Sequence, residues 1–322
     1  MSISLPKYIK KTLIYLFIIL LISCEKSIDN SNNRISIERF ENLFYNSTIS
    51  DLDELKKVYP YFFPNSYPEK VWTDRLKDPV QLEIFNEIQK EYETVEFLEK
   101  GLYNFFKNHK KLFYDFDNLK IITVNSDVDY RNRIILTDSI LLIGLDNYLG
   151  ANHRFYAGIP LYIKENFTRN NIISDIAEQF AFKIIPRNEF YTFLDKIIYY
   201  GKILHYKDKC MNNKIDDKYK IGYTTSKMNW AVENEYFVWT YFIQNDILFN
   251  PDNNLINRFI SDAPFSVFYS EIDNKSSEMI GKYIGWQIVK SYMNNNNVTS
   301  AEMFSAKPID IYNNSKYKPN KQ

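Results

Sequence analysis

Between residues 119 and 146 the chain becomes strongly β-branched. LKIITVNS (Leu119 to Ser126), RIILT (Arg133 to Thr137) and SILLIGLD (Ser139 to Asp146) follow one another, separated by polar clusters. Short apolar runs bounded by turn residues read as strands. On either side the apolar spacing is helical. Before the block, a helix fits Asp51 to Tyr59, stopped by Pro60 and Pro64. Asp78 followed by Pro79 is the favoured order at a helix start, and Val80, Ile84, Phe85 and Ile88 give that helix its apolar stripe. Another runs from about Thr94 to Asn108, with Phe97, Leu98, Leu102, Phe105 and Phe106 inward. After Pro160, helices are expected at Asn171 to Ile185, Glu189 to Tyr200, Met228 to Phe249 and Glu278 to Tyr292, with short ones near Ser300 and Ile309. The polar stretch Tyr206 to Lys220 reads as a loop. Helices, a small sheet, then helices is an α+β order rather than a series of βαβ units. Hence the expected fold is a mostly helical α+β domain with a small β-sheet, spanning 35–322.

The first 34 residues have a different character. Lys7, Lys10 and Lys11 precede an apolar run from Leu13 to Ile22, far short of the ~20 residues a membrane-spanning helix needs. A basic start and a short apolar stretch are the form of a secretion signal. This one ends Leu21-Ile22-Ser23-Cys24 rather than in an Ala-x-Ala site. A segment of this form is expected to be removed as a signal peptide. Residues 24–34, rich in Ser and Asn, follow as a flexible tether. Without those lysines the remainder is slightly acidic, which argues against a nucleic-acid partner. Aromatic residues make up 17% of the chain, enough for a thick core and broad contact surfaces. Cys210 is the other cysteine, so a disulfide framework is excluded if Cys24 is modified; Cys210 reads as either an exposed thiol or a partly buried one.

Familiar catalytic signatures are absent from the sequence. His109, His153 and His205 share no ligand spacing, and there is no His-Glu-x-x-His, Cys-x-x-Cys, Gly-x-Ser-x-Gly or phosphate-binding glycine loop. No metal site and no cofactor are expected from these residues. Three stretches draw attention instead. In SDVDYRNR, Asp127 and Asp129 could contact a cation or a basic partner, or simply form a turn by bonding their own backbone. In SDIAEQFAFKII, one face is apolar (Ile172, Ile173, Ile176, Ala177, Phe180, Ile184) and the other carries Ser174, Asp175, Glu178 and Gln179. Ser174 and Glu178 stand above one another at i and i+4, the spacing at which a metal-binding helix carries two histidines; a plain amphipathic helix with a wet face is the alternative. In IGKYIGWQIVKSY, Gly281 and Gly285 permit close approach of another element.

The lipobox LLISC, SDVDY, LLIGLDNYLG, YYGK, IGYT, APFS, IDN, IGWQIVKSYM and SKYKP, in this order over nearly the whole chain, resemble the gliding-motility lipoprotein B (GldB) family of Bacteroidota. The resemblance implies cleavage before Cys24, a lipid on its sulfur and amine, and a membrane-anchored component of surface gliding linked to type IX secretion. It implies other envelope proteins of gliding or secretion as partners, and no established reaction. Cys24 is not directly followed by a lysine with paired acids after it, so a periplasm-facing position is expected. A second likeness is to predicted zinc peptidases of zincin-like fold. Laid on that pattern, Ser174 and Asp175 fall at the first His and the Glu, Glu178 at the second His, and Glu233 or Glu235 near the remaining carboxylate. Both histidines are missing, so this likeness implies a peptidase-shaped fold without its zinc. The function expected is a noncatalytic scaffold or polypeptide-binding component. The alternative is a carboxylate-based hydrolase in which Asp175, Glu178, Glu233 and Glu235 converge.

Overall fold

A computed structural model describes residues 35–113, 119–187, 189–211 and 215–321. The elements, in chain order, are β1 (Glu38–Arg39), α1 (Phe40–Tyr45), α2 (Leu52–Val58), α3 (Glu69–Lys77), α4 (Pro79–Glu91) and α5 (Glu96–His109). Next come β2 (Lys120–Val124), β3 (Ile134–Leu136) and β4 (Ile140–Gly144). The second helical half comprises α6 (Leu161–Lys164), α7 (Ile172–Ile184), α8 (Phe193–Cys210), α9 (Asp217–Ile221), α10 (Thr225–Glu233) and α11 (Glu235–Gln244). It ends with α12 (Asn254–Phe259), α13 (Ile280–Asn295), α14 (Ser300–Ser305) and α15 (Pro308–Ser315). The class is α+β and mostly helical.

The sheet runs β1-β2-β4-β3. β2 is parallel to both β1 and β4, pairing Ile122 with Leu142, and β3 closes the edge antiparallel to β4. Its two faces are covered by different cores. Ile121, Leu141, Ile143 and Ile134 face the large core built with α5, α7, α8 and α13. Ile122 faces a smaller cluster of Phe44, Leu52, Tyr59, Phe63 and Leu76. Burial of β2 on both faces explains why Ile121, Ile122 and Thr123 run without polar alternation.

Helix starts follow local chemistry. Asp78 accepts from the Val80 and Gln81 amides at the head of α4, as the Asp-Pro pair predicts. Ile84, Phe85 and Ile88 are buried, whereas Val80 is exposed at the first turn and does not join the stripe. α8 begins with a Thr192–Asp195 capping box, four residues later than expected.

Several expectations need correction. The stretch read as a loop from Tyr206 is helical to Cys210, and Asp217–Ile221 is helical too. Lys207 and Asp208 read as solvent-facing, yet both find charged partners inside the fold, so helix continues through them. The long helix expected from Met228 breaks at Asn234 into α10 and α11 and stops at Gln244. β1 and α12 are too short to stand out by periodicity. Cys210 is wholly buried, and burial pushes its thiol up to about 12. No helix among the described residues is long and apolar enough to cross a membrane.

α8 and α13 cross very closely. A Cβ built on Gly285 would lie 1.8 Å from the Ile197 carbonyl oxygen, and one on Gly201 would lie 2.3 Å from the Gly285 carbonyl oxygen. The expected role of Gly285 is thus found, with Gly201 as its counterpart on the facing helix.

Candidate functional site

The apolar face of α7 places Ile172, Ile176, Ala177 and Phe180 in the core. Its polar face was expected to be wet. Instead Ser174 is buried, and Ser174, Asp175, Glu178 and Gln179 line a cleft of about 220 Å³. Lys207 from α8, Arg133 from the end of the turn before β3, and Glu278 and Lys282 from the entry to α13 complete the part that matters here.

Lys207 is 2% exposed and sits between the two residues of the i, i+4 pair. Its Nζ donates to Ser174 Oγ at 3.1 Å, to Glu178 Oε2 at 2.5 Å and to the Lys220 carbonyl at 2.9 Å. Three donors meet three acceptors, so the ammonium is saturated. Burial pushes the Glu178 carboxyl up, but the Lys207, Lys282 and Arg133 charges outweigh it and hold the group below its ordinary 4.5. One turn away, Asp175 Oδ2 accepts from Arg133 Nε at 2.7 Å and from the buried Tyr148 hydroxyl at 2.8 Å. The Arg133 guanidinium lies 5.5 Å from the Phe167 ring, which fixes its plane.

Deeper in the wall, Lys227 is shared by Glu165 at 2.7 Å and Glu278 at 2.8 Å. Glu278 is 1% exposed, and burial raises its carboxyl against the pull of Lys227.

The other residues singled out in the sequence lie elsewhere. Glu235 accepts from the Tyr283 hydroxyl at 2.9 Å and the Tyr317 hydroxyl at 2.7 Å, and it does not line the cleft. Glu233 is exposed at the end of α10. Asp127 and Asp129 occupy the connection from β2 to β3. Asp127 takes both guanidinium nitrogens of Arg75, at 2.9 and 2.8 Å, and Asp129 accepts from the Asn132 side chain at 2.8 Å. Asp127 and Val128 have φ of 60° and 57°, the left-handed region that a β-branched residue rarely enters. Asp146, wholly buried, clamps this turn by accepting from the Ser126 and Val128 amides. Cys24 lies outside the described residues.

Sequence reasoning missed Arg133, Tyr148, Lys207, Lys227 and Glu278. Arg133 stood in a quoted motif, but its partner is 42 residues away on another element. Lys207 was hidden by the loop reading.

The donor chemistry does not suit zinc. Zinc sites use imidazole, thiolate or carboxylate ligands, four of them in a closed structural site and three plus an open position in a catalytic one. Here the i, i+4 pair is Ser174 and Glu178, and an ammonium already lies between them. Among the described residues no three His, Cys, Asp or Glu side chains gather as metal donors.

Fold and cleft together define a helical α+β domain whose central acids are held in ion pairs. The chain belongs to the family of gliding motility protein GldB, which it matches over residues 23–319. Family membership makes it a component of bacterial gliding motility. No curated protein and no solved structure matches it, so the zinc-peptidase likeness rests on motif order alone.

Proposed function

We propose that the chain is a lipid-anchored envelope protein of the gliding apparatus that acts by holding a polypeptide partner rather than by catalysis. Cys24 carries the anchor after removal of residues 1–23. Acyl chains contribute about 0.8 kcal/mol per buried methylene, so several together hold a protein that one would release. The domain faces the periplasm on a tether of residues 24–34, and its partners are other envelope proteins of gliding and type IX secretion. Support for the setting comes from the family and from the lipobox sequence.

Support for a noncatalytic role comes from one observation. The Lys207 ammonium occupies the place between Ser174 and Glu178 where a metal-binding helix would hold its cation. A general base must be free to take a proton. Glu178 is instead tied to Lys207, and Asp175 to Arg133 and Tyr148. The hydrolase alternative called for Asp175, Glu178, Glu233 and Glu235 in one cleft. Only the first two line it.

The anchoring part is tested by Cys24→Ala expressed in gliding cells that lack the native copy. The variant is expected to leave the membrane fraction and to fail to restore spreading over a surface. A variant that stays with the membranes and restores gliding would contradict the reading.

A further inference from the structure

Glu165 and Glu278 share a single ammonium, that of Lys227, so this partly buried cluster carries one formal negative charge in excess. Glu278 Oε1 takes the Lys227 bond, while its Oε2 is buried with no hydrogen-bond partner. An orphaned buried acceptor costs about 1–3 kcal/mol, and a charged one more. Four residues on, Lys282 adds positive charge to the field around Glu178 without pairing to it directly. Its Nζ rests 3.0 Å from the Met279 sulfur and 4.8 Å from the Tyr200 ring centroid, and it forms no ion pair among the described residues. Both residues line the same cleft. At about 220 Å³ that cleft is smaller than the roughly 300–1,000 Å³ of sites for drug-sized ligands, so its occupant is small or is the end of a chain.

We infer that the cleft binds an amino-acid unit with a free ammonium group, which Glu278 Oε2 receives while Lys282 donates to the carboxyl or carbonyl oxygen of the same unit. This rests on the noncatalytic binding role and names what is bound. The ammonium cancels the excess charge of the Glu165–Lys227–Glu278 cluster and supplies the partner that Oε2 lacks. Burial raises the Glu278 carboxyl against the pull of Lys227, as expected of an acid that lacks a full set of partners. Two sources present this chemistry: a free amino acid, and the first residue of a polypeptide.

The test is calorimetric titration of the whole mature protein, in detergent, with L-alanine, tri-alanine and N-acetyl-tri-alanine. Binding of at least one free-amine probe is expected, with acetylation weakening it about tenfold or more. Glu278→Gln should weaken the same probe to a similar degree, and Lys282→Met should weaken it severalfold. Binding of alanine identifies the free amino acid as the source; binding of tri-alanine alone identifies a chain end. No binding of either free-amine probe, or equal binding of the acetylated one, overturns the inference. That comparison uses the unaltered protein and does not depend on the variants folding. Failure here leaves anchoring at Cys24 untouched, whereas release of new amine from tri-alanine would instead overturn the noncatalytic role.

Discussion

Removing the Lys207 ammonium would leave Glu178 without its cation and take one donor from Ser174 Oγ and one from the Lys220 carbonyl, which keep a 3.3 Å bond to each other. Loss of one partner from a fully buried pair costs about 3–5 kcal/mol. A third of the Glu178 side chain (33%) is exposed, which lowers the expected cost of Lys207→Met to about 2–3 kcal/mol, measurable by denaturant unfolding. Glu178 also sets a pH limb. Its folded pKa lies below the unfolded 4.5, so its contribution is complete above pH 4.5 and is lost as pH falls through the lower folded value. Stability measured from pH 6 downward should decline less steeply below 4.5 in Glu178→Gln than in the unaltered protein. An unchanged limb would mean that Glu178 is not ionised against Lys207. Charge pairs of this kind were not legible in the sequence. The i, i+4 pattern on α7 revealed which residues share a face, but what covers that face is decided by elements far along the chain. For Asp127 the sequence left two readings open; the structure shows a tight turn whose aspartate is paired with Arg75 of the same chain.

At the scale of elements, the crossing of α8 and α13 sets the position of both Lys207 and Glu278. Gly285→Ala would drive a methyl group into the backbone of α8, and backbone cannot rotate away as a side chain can. Overpacking usually costs about 1–3 kcal/mol, and this contact belongs at the upper end. Thermal unfolding should show a clear loss, and gliding should fall with the amount of folded protein. A substitution without effect would mean that the helices do not cross here. The glycine pair was half legible, since Gly285 stands in a helical pattern whereas its counterpart Gly201 drew no attention. Element boundaries were read well where caps or prolines mark them, as at Asp78. They were missed where polar residues turn inward. Tyr206 to Cys210 looked like loop because lysine and aspartate alternate there, yet Lys207 is paired with Glu178 and Asp208 with Lys220, and Asp208 also accepts from the Trp286 indole.

For the whole molecule, the helix–sheet–helix order in the sequence translated directly into a sheet covered on both faces. The α+β class was legible because the β-branched block is compact and its flanks keep helical spacing. That the amino-terminal helices form a separate aromatic layer over Ile122 could not be read, because which face a short strand shows to which helix is a property of the assembled fold. Membership in a gliding family sets the process in which the molecule works. What it does there turns on whether the cleft holds a ligand against built-in charges or an activating cation. The measurement that separates these is elemental analysis of the purified chain, prepared without a histidine tag or chelator. With Lys207 already seated between Ser174 and Glu178, far less than one transition-metal ion per chain is expected. One tightly held ion per chain would contradict the ion-paired cleft and restore the case for hydrolysis.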